Sequence, residues 1–129
     1  MDSGCYQLHL RLDRAAEITV GALGPIRFAA GYYIYTGRAK QGLQKRIARH
    51  RRHAKKCRWH VDYLLDRARI IRVLYFPGRL DECIINKRCA ELLEGAVIVS
   101  RFGSSDCSCS GHLIHMREKP DYDQETVSR

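Results

Sequence analysis

The chain has 129 residues, 45% of them hydrophobic and 29% charged, which suits one soluble domain with one core and excludes a wholly disordered polypeptide. No uninterrupted apolar run approaches the roughly 18 residues of a membrane span, and Met1-Asp2-Ser3-Gly4-Cys5 lacks a basic-then-apolar signal region, so a cytoplasmic protein is expected. The formal charge of +9 is local: ten of the 23 lysines and arginines, and no Asp or Glu, lie between Arg38 and Arg58.

A basic block of this kind attracts polyanions through counterion release. The tyrosine-dense stretch just before it, Gly31-Tyr32-Tyr33-Ile34-Tyr35-Thr36-Gly37, supplies aromatic groups that can position or attack what is bound. The competing reading is a solvated helix face that only keeps the protein soluble. The cysteines Cys5, Cys57, Cys83, Cys89, Cys107 and Cys109 are even in number, but a chain with its own aliphatic core needs no disulfide staples, so free thiols are expected.

In chain order, Tyr6, Leu8, Leu10 and Leu12 alternate with Gln7, His9 and Arg11, the period of a half-buried first strand. Ile18-Thr19-Val20 and Ile26-Arg27-Phe28 flank a glycine and proline cluster and read as a hairpin. Tyr32 to Thr36 is a strand ending at Gly37, followed by a helix from about Gln41 on which Leu43, Ile47 and Ala54 form a narrow apolar stripe. His50 falls within that stripe and Arg46 at its edge, so both should face the protein. Trp59 to Leu65 reads as a short second helix and Ile70 to Phe76 as a strand stopped by Pro77-Gly78.

Asp81 can cap a helix running to about Glu94, with Ile85, Cys89, Leu92 and Leu93 on its buried face and Glu82 at its start. Val97-Ile98-Val99 is short and apolar, Gly103 to Gly111 is loop, and His112 to Met116 reads as a returning edge strand. The polar stretch 117–129 is expected to be frayed, leaving a single domain over residues 1–116.

An ordered set emerges: Gly4-Cys5-Tyr6 on a first strand, Tyr35-Thr36-Gly37 on a later one, Arg46 and His50 four apart on the next helix, and Glu82 opening a further helix. Together with Trp59-His60-Val61-Asp62 and the run Phe102 to Leu113, this set resembles the GIY-YIG nuclease superfamily, in the branch catalogued as domain of unknown function 123. The resemblance spans about residues 4 to 116. It implies an α/β (α+β type) fold with a small, mainly antiparallel sheet and flanking helices, enlarged by the hairpin inserted between the motif strands. It further implies metal-dependent endonucleolytic cleavage of DNA, in repair or structured-DNA processing. In some members of the branch the domain is attached to an endonuclease III-type repair enzyme, a possible partner.

The resemblance assigns roles residue by residue. Glu82 would hold magnesium or manganese, where the plainer reading is an acid complementing a helix dipole. Tyr6 would be the general base, which requires a cation such as Arg46 or the metal to favour its phenolate; its periodicity alone reads as core. Tyr35 would orient the water or a phosphate oxygen, and could equally be a packed strand aromatic. Arg46 would bind the scissile phosphate, with pairing to Asp62 or Asp66 as the competitor, and His50 would bond phosphate or water. The superfamily's late asparagine has no clear counterpart, since Asn86 lies within the Glu82 helix.

Lys40, Lys45, Arg49, Arg51, Arg52, Lys55, Lys56 and Arg58 are the candidate phosphate contacts, which favour DNA over RNA only through the resemblance. A zinc alternative uses Cys83, Cys107, Cys109 and His112, although Cys-x-Cys is tight for a structural site. The rival to the nuclease is a non-catalytic nucleic-acid-binding module that guides a partner enzyme.

Overall fold

The structure is a computed structural model and describes residues 2–52, 57, 59–93, 96–102, 111–122 and 127. Its centre is a five-stranded sheet of order β5-β1-β4-β7-β6, antiparallel at every pairing. The strands are β1 (Gly4–Leu12), β4 (Gly31–Ala39), β5 (Arg69–Pro77), β6 (Val97–Val99) and β7 (Leu113–Met116). Strands β2 (Ala16–Thr19) and β3 (Pro25–Phe28) form the expected hairpin, but as a separate two-stranded sheet, not as an extension of the main one. Around it stand the α-helices α1 (Leu43–Arg51), α2 (His60–Leu65) and α3 (Glu82–Leu92). Among the described residues no helix is long and apolar enough to cross a membrane.

The sheet separates two cores. On one face Tyr6, Leu8, Leu10 and Leu12 of β1 pack with Val20, Phe28, Leu43, Ile47, Val61 and Leu64, so the hairpin, α1 and α2 cover this side. On the other, Cys5, Ile34, Leu74, Phe76 and Ile114 pack with Ile85 and Cys89 of α3. Strand β1 is therefore covered on both faces, which corrects the half-buried reading: Gln7 and His9 are as buried as the leucines between them. Polar residues survive there because each has a partner. Gln7 Nε2 donates to Thr36 Oγ1 at 3.1 Å, and the Tyr122 hydroxyl donates to Gln7 Oε1 at 2.6 Å while lying 3.0 Å from His9 Nε2.

Tyr122 also corrects the expectation of a frayed tail over its described part. Its hydroxyl is 3.2 Å from Cys89 Sγ, its carbonyl accepts from Arg72, and Pro120 and Val127 are buried. The segment closes the second face of β1, so composition alone misjudged it. Two further readings change. Strand β7 lies inside the sheet, and β5 and β6 are the edges. Leu92 is 54% exposed, because α3 ends there and its buried side is carried by Ile85, Asn86 and Cys89.

Helix α1 is capped by a residue distant in sequence. Helix α1 has no acidic residue in its first turn, and Asp2 takes that place, its carbonyl and Oδ2 accepting the backbone N–H groups of Leu43 and Gln44 at 3.1 and 2.9 Å. Asp81 does not cap α3 through its side chain; that carboxylate holds Arg79 instead.

Candidate active site

Strands β1 and β4 are paired so that Tyr6 lies opposite Gly37, and that pairing builds the site. A Cβ at Gly37 would stand 2.5 Å from the Tyr6 ring carbon Cζ and hydroxyl and 3.0 Å from Tyr35 Cε2. The Tyr-x-Gly motif thus has a steric basis: only glycine lets the Tyr6 ring cross β4 toward α1. There the Tyr6 hydroxyl meets His50 Nε2 at 2.7 Å. Ring centroids of Tyr6 and Tyr35 are 6.2 Å apart, Tyr6 and His50 5.4 Å, and Tyr35 and His50 6.3 Å, a cluster of three rings from three elements.

The next layer comes from α2. Asp62 is fully buried, and its carboxylate accepts from Arg49 Nη1 at 3.1 and 3.0 Å and from the Trp59 backbone N–H at 3.0 Å. Its Oδ1 faces His50 Nδ1 at 3.8 Å. The Arg46 and Arg49 guanidiniums each lie 4.4 Å from the Trp59 ring centroid, stacked cations that stiffen the basic helix. Arg46 Nη1 donates to the Arg38 carbonyl at 2.9 Å. The expected competitor for Arg46, Asp62, is thus bound to Arg49.

Burial sets the protonation states. It pushes Tyr6 up to about 12, outweighing the downward pull of Arg46, so Tyr6 is a neutral phenol. The expected shift toward phenolate therefore does not arise from Arg46 alone. Tyr35 is likewise raised by burial and then by the neighbouring Tyr6. His50 is lowered, by burial first and in spite of Asp62, so the imidazole is neutral and its Nε2 can accept the Tyr6 proton when Nδ1 carries the ring's own hydrogen toward Asp62.

Glu82, on the first turn of α3, has a side chain only 12% exposed, and its Oε2 lies 3.2 Å from Arg38 Nε. Its charge reaches the ring cluster, raising both Tyr6 and Tyr35. The carboxylate, Cys83 and His112 offer ligand atoms all within 4.8 Å of one another. Cys83 Sγ is 3.3 Å from His112 Nε2 and takes part in a disulfide, which corrects the expectation of free thiols at this position; Cys5 and Cys89 keep theirs. Of the zinc alternative, Cys83 and His112 are brought together, and Cys107 and Cys109 lie outside the described residues.

Of the basic block, Lys40, Lys45, Arg51 and Arg52 are exposed, and Arg49 is turned to Asp62 and Trp59. Lys55, Lys56 and Arg58 lie outside the described residues, as does Ala54 of the apolar stripe. Asn86 is buried, accepting from Thr36 Oγ1 at 3.4 Å and donating to the Gly111 carbonyl at 2.7 Å, which fastens α3 to β4 and to the residues entering β7. Sequence reasoning missed Asp62 as a support for His50; the signal was an Asp three residues after Trp59, where its carboxylate can accept the first free N–H of a helix.

A family model described as Domain of unknown function DUF123 matches residues 5–129. The chain belongs to this family. The match includes residues 117–129, in keeping with the packing of Tyr122 onto the DUF123 sheet. Comparison with curated proteins and with solved structures gave no match.

Proposed function

We propose that this DUF123 domain is a metal-dependent endonuclease of GIY-YIG type that hydrolyses DNA phosphodiester bonds in the cytoplasm, in repair or the processing of structured DNA. The observation that carries the reading is the Tyr6–His50 contact of 2.7 Å, set among Tyr35, Arg46 and Glu82 below an exposed row of basic residues. A core tyrosine needs no histidine at its hydroxyl. A proton path does.

In the reaction a water attacks phosphorus. Tyr6 takes the water's proton on its hydroxyl oxygen as it passes its own to His50 Nε2, so the phenol relays a proton without becoming a stable phenolate. The imidazolium that forms faces Asp62 at 3.8 Å, which stabilises it. The bond from phosphorus to the leaving sugar oxygen breaks with its electron pair, and that oxygen takes a proton from solvent. Tyr35 orients the water, and the Arg46 fork, stiffened on Trp59, binds the phosphate oxygens as charge builds. Lys40, Lys45, Arg51 and Arg52 position the duplex through its backbone.

Glu82 would serve a hard divalent ion as a carboxylate ligand, with water and substrate oxygens completing the shell. Magnesium or manganese bound there would neutralise charge on the phosphate. One observation favours the rival binding module: Arg38 already pairs with the Glu82 carboxylate. Labelled duplex, nicked and branched DNA should be incubated with wild type and Glu82→Gln, with magnesium, with manganese and with chelator. Discrete products requiring both metal and Glu82 are expected. Salt-sensitive binding without any product would transfer the chain to the binding module.

A further inference from the structure

The contact between Cys83 and His112 has no part in the proton path, yet it is built with care. Cys83 rides on the first turn of α3, and His112 precedes β7 with its backbone fixed on both sides: its N–H donates to the Phe102 carbonyl at 2.6 Å and its carbonyl accepts from Thr36 at 3.0 Å. Asn86, one turn after Cys83 on α3, donates to the carbonyl of Gly111, the neighbour of His112, at 2.7 Å. Two rigid elements thus hold the Cys83 sulfur and an imidazole nitrogen 3.3 Å apart, with the Glu82 carboxylate in the same cluster.

That spacing is the edge of a small tetrahedron. Zinc–sulfur and zinc–imidazole bonds of about 2.3 and 2.0 Å, meeting at a tetrahedral angle, separate the two ligand atoms by about 3.5 Å. We propose that Cys83, His112 and Glu82 form a site for a soft divalent cation, zinc by preference, in the reduced chain. A thiolate and an imidazole select zinc over magnesium. Charge also balances: thiolate and carboxylate offset the ion, and Arg38, 3.2 Å from Glu82 Oε2, orients the carboxylate. Three protein atoms leave a fourth position for water or another donor.

The disulfide at Cys83 and the ion exclude each other. A dithiol reductant opens the bond by giving two electrons and two protons, leaving two protein thiols and its own disulfide; Cys83 then gives up its proton as the metal binds. This site shares Glu82 with the nuclease reading, so zinc here and magnesium there compete for one carboxylate, but its evidence is separate and its test needs no cleavage.

Full-length chain should be purified oxidised and, separately, reduced under a phosphine, stripped with chelator, and titrated with zinc and with cobalt as the spectroscopic probe. Reduced wild type is expected to take up one zinc per chain and to show a thiolate-to-cobalt charge-transfer band in the near ultraviolet. The band should vanish in Cys83→Ser, zinc affinity should fall at least tenfold in His112→Gln, and Cys57→Ser should behave as wild type, with circular dichroism reporting the fold of each. The oxidised chain should bind none. Absence of stoichiometric uptake by the reduced wild type, uptake unchanged in Cys83→Ser, or equal uptake by the oxidised chain would each overturn the proposal.

Discussion

Acid should destabilise this chain through His9, and the size of the effect follows from the fold. His9 is 1% exposed on the face of β1 that packs against α3, with the Tyr122 hydroxyl 3.0 Å from its Nε2. Burial, and then the Arg72 guanidinium on β5, lower it from 6.5 to about 4. The unfolded chain therefore binds more protons than the folded one between those values, and stability falls as pH falls. The neutral imidazole's contribution is whole above the unfolded value, declines as pH drops through about 6.5, and stops declining below about 4, where both states are protonated. At ~1.4 kcal/mol per pH unit, the loss from neutrality is about 2 kcal/mol at pH 5 and about 3 kcal/mol at pH 4. Urea unfolding of wild type and His9→Gln, followed by circular dichroism across that range, isolates this share. Glutamine can still donate to Tyr122 but does not titrate, and the other histidines are common to both proteins. The stability gap between them should close by those amounts on acidification. A gap that stays constant from pH 7 to pH 4 would refute the argument that burial holds His9 neutral.

Two further outcomes concern the proton path. Tyr6→Phe keeps the ring but strands His50 Nε2, so single-turnover cleavage should slow by about 10²- to 10⁴-fold and stability should fall by about 1–3 kcal/mol; undiminished cleavage by a folded variant would remove Tyr6 from the mechanism. Asp62→Asn leaves Arg49 without its counter-charge in a mostly buried setting and should cost roughly 3 kcal/mol in a denaturant melt. It should also move the acid limb of the pH–rate profile lower, because the imidazolium of His50 loses its only facing carboxylate among the described residues; an unmoved limb would mean that Asp62 has no influence on His50.

The elements were largely legible because most of their signals are local. Alternation marked β1, a glycine and proline cluster marked the hairpin, and Pro77-Gly78 marked the end of β5. What failed depended on contacts distant in sequence. Gln7 and His9 look solvent-facing until Tyr122, more than a hundred residues later, closes over them. The polar stretch that carries Tyr122 has no apolar periodicity to announce that it packs. Strand β7 was misplaced at an edge because nothing in Leu113–Met116 shows that three apolar residues, Val97–Val99, pair outside it.

The site divides the same way. Residue types and order brought Tyr6, Tyr35, Arg46, His50 and Glu82 into view, and the fold sets the three rings together; the protonation states were not visible. A tyrosine beside an arginine reads as a candidate phenolate when only charges are counted. In the fold the same ring is enclosed by Tyr35, His50 and the sheet, and the cost of burying an anion exceeds the attraction of one cation that is itself shared with Trp59 and the Arg38 carbonyl. In the proposed nuclease reaction, that balance gives the basic function to His50 instead of Tyr6. Burial raises the phenol and lowers the imidazole together, so a buried Tyr–His pair settles as two neutral groups joined by one hydrogen bond, and its proton moves only when a water at the phenol supplies another.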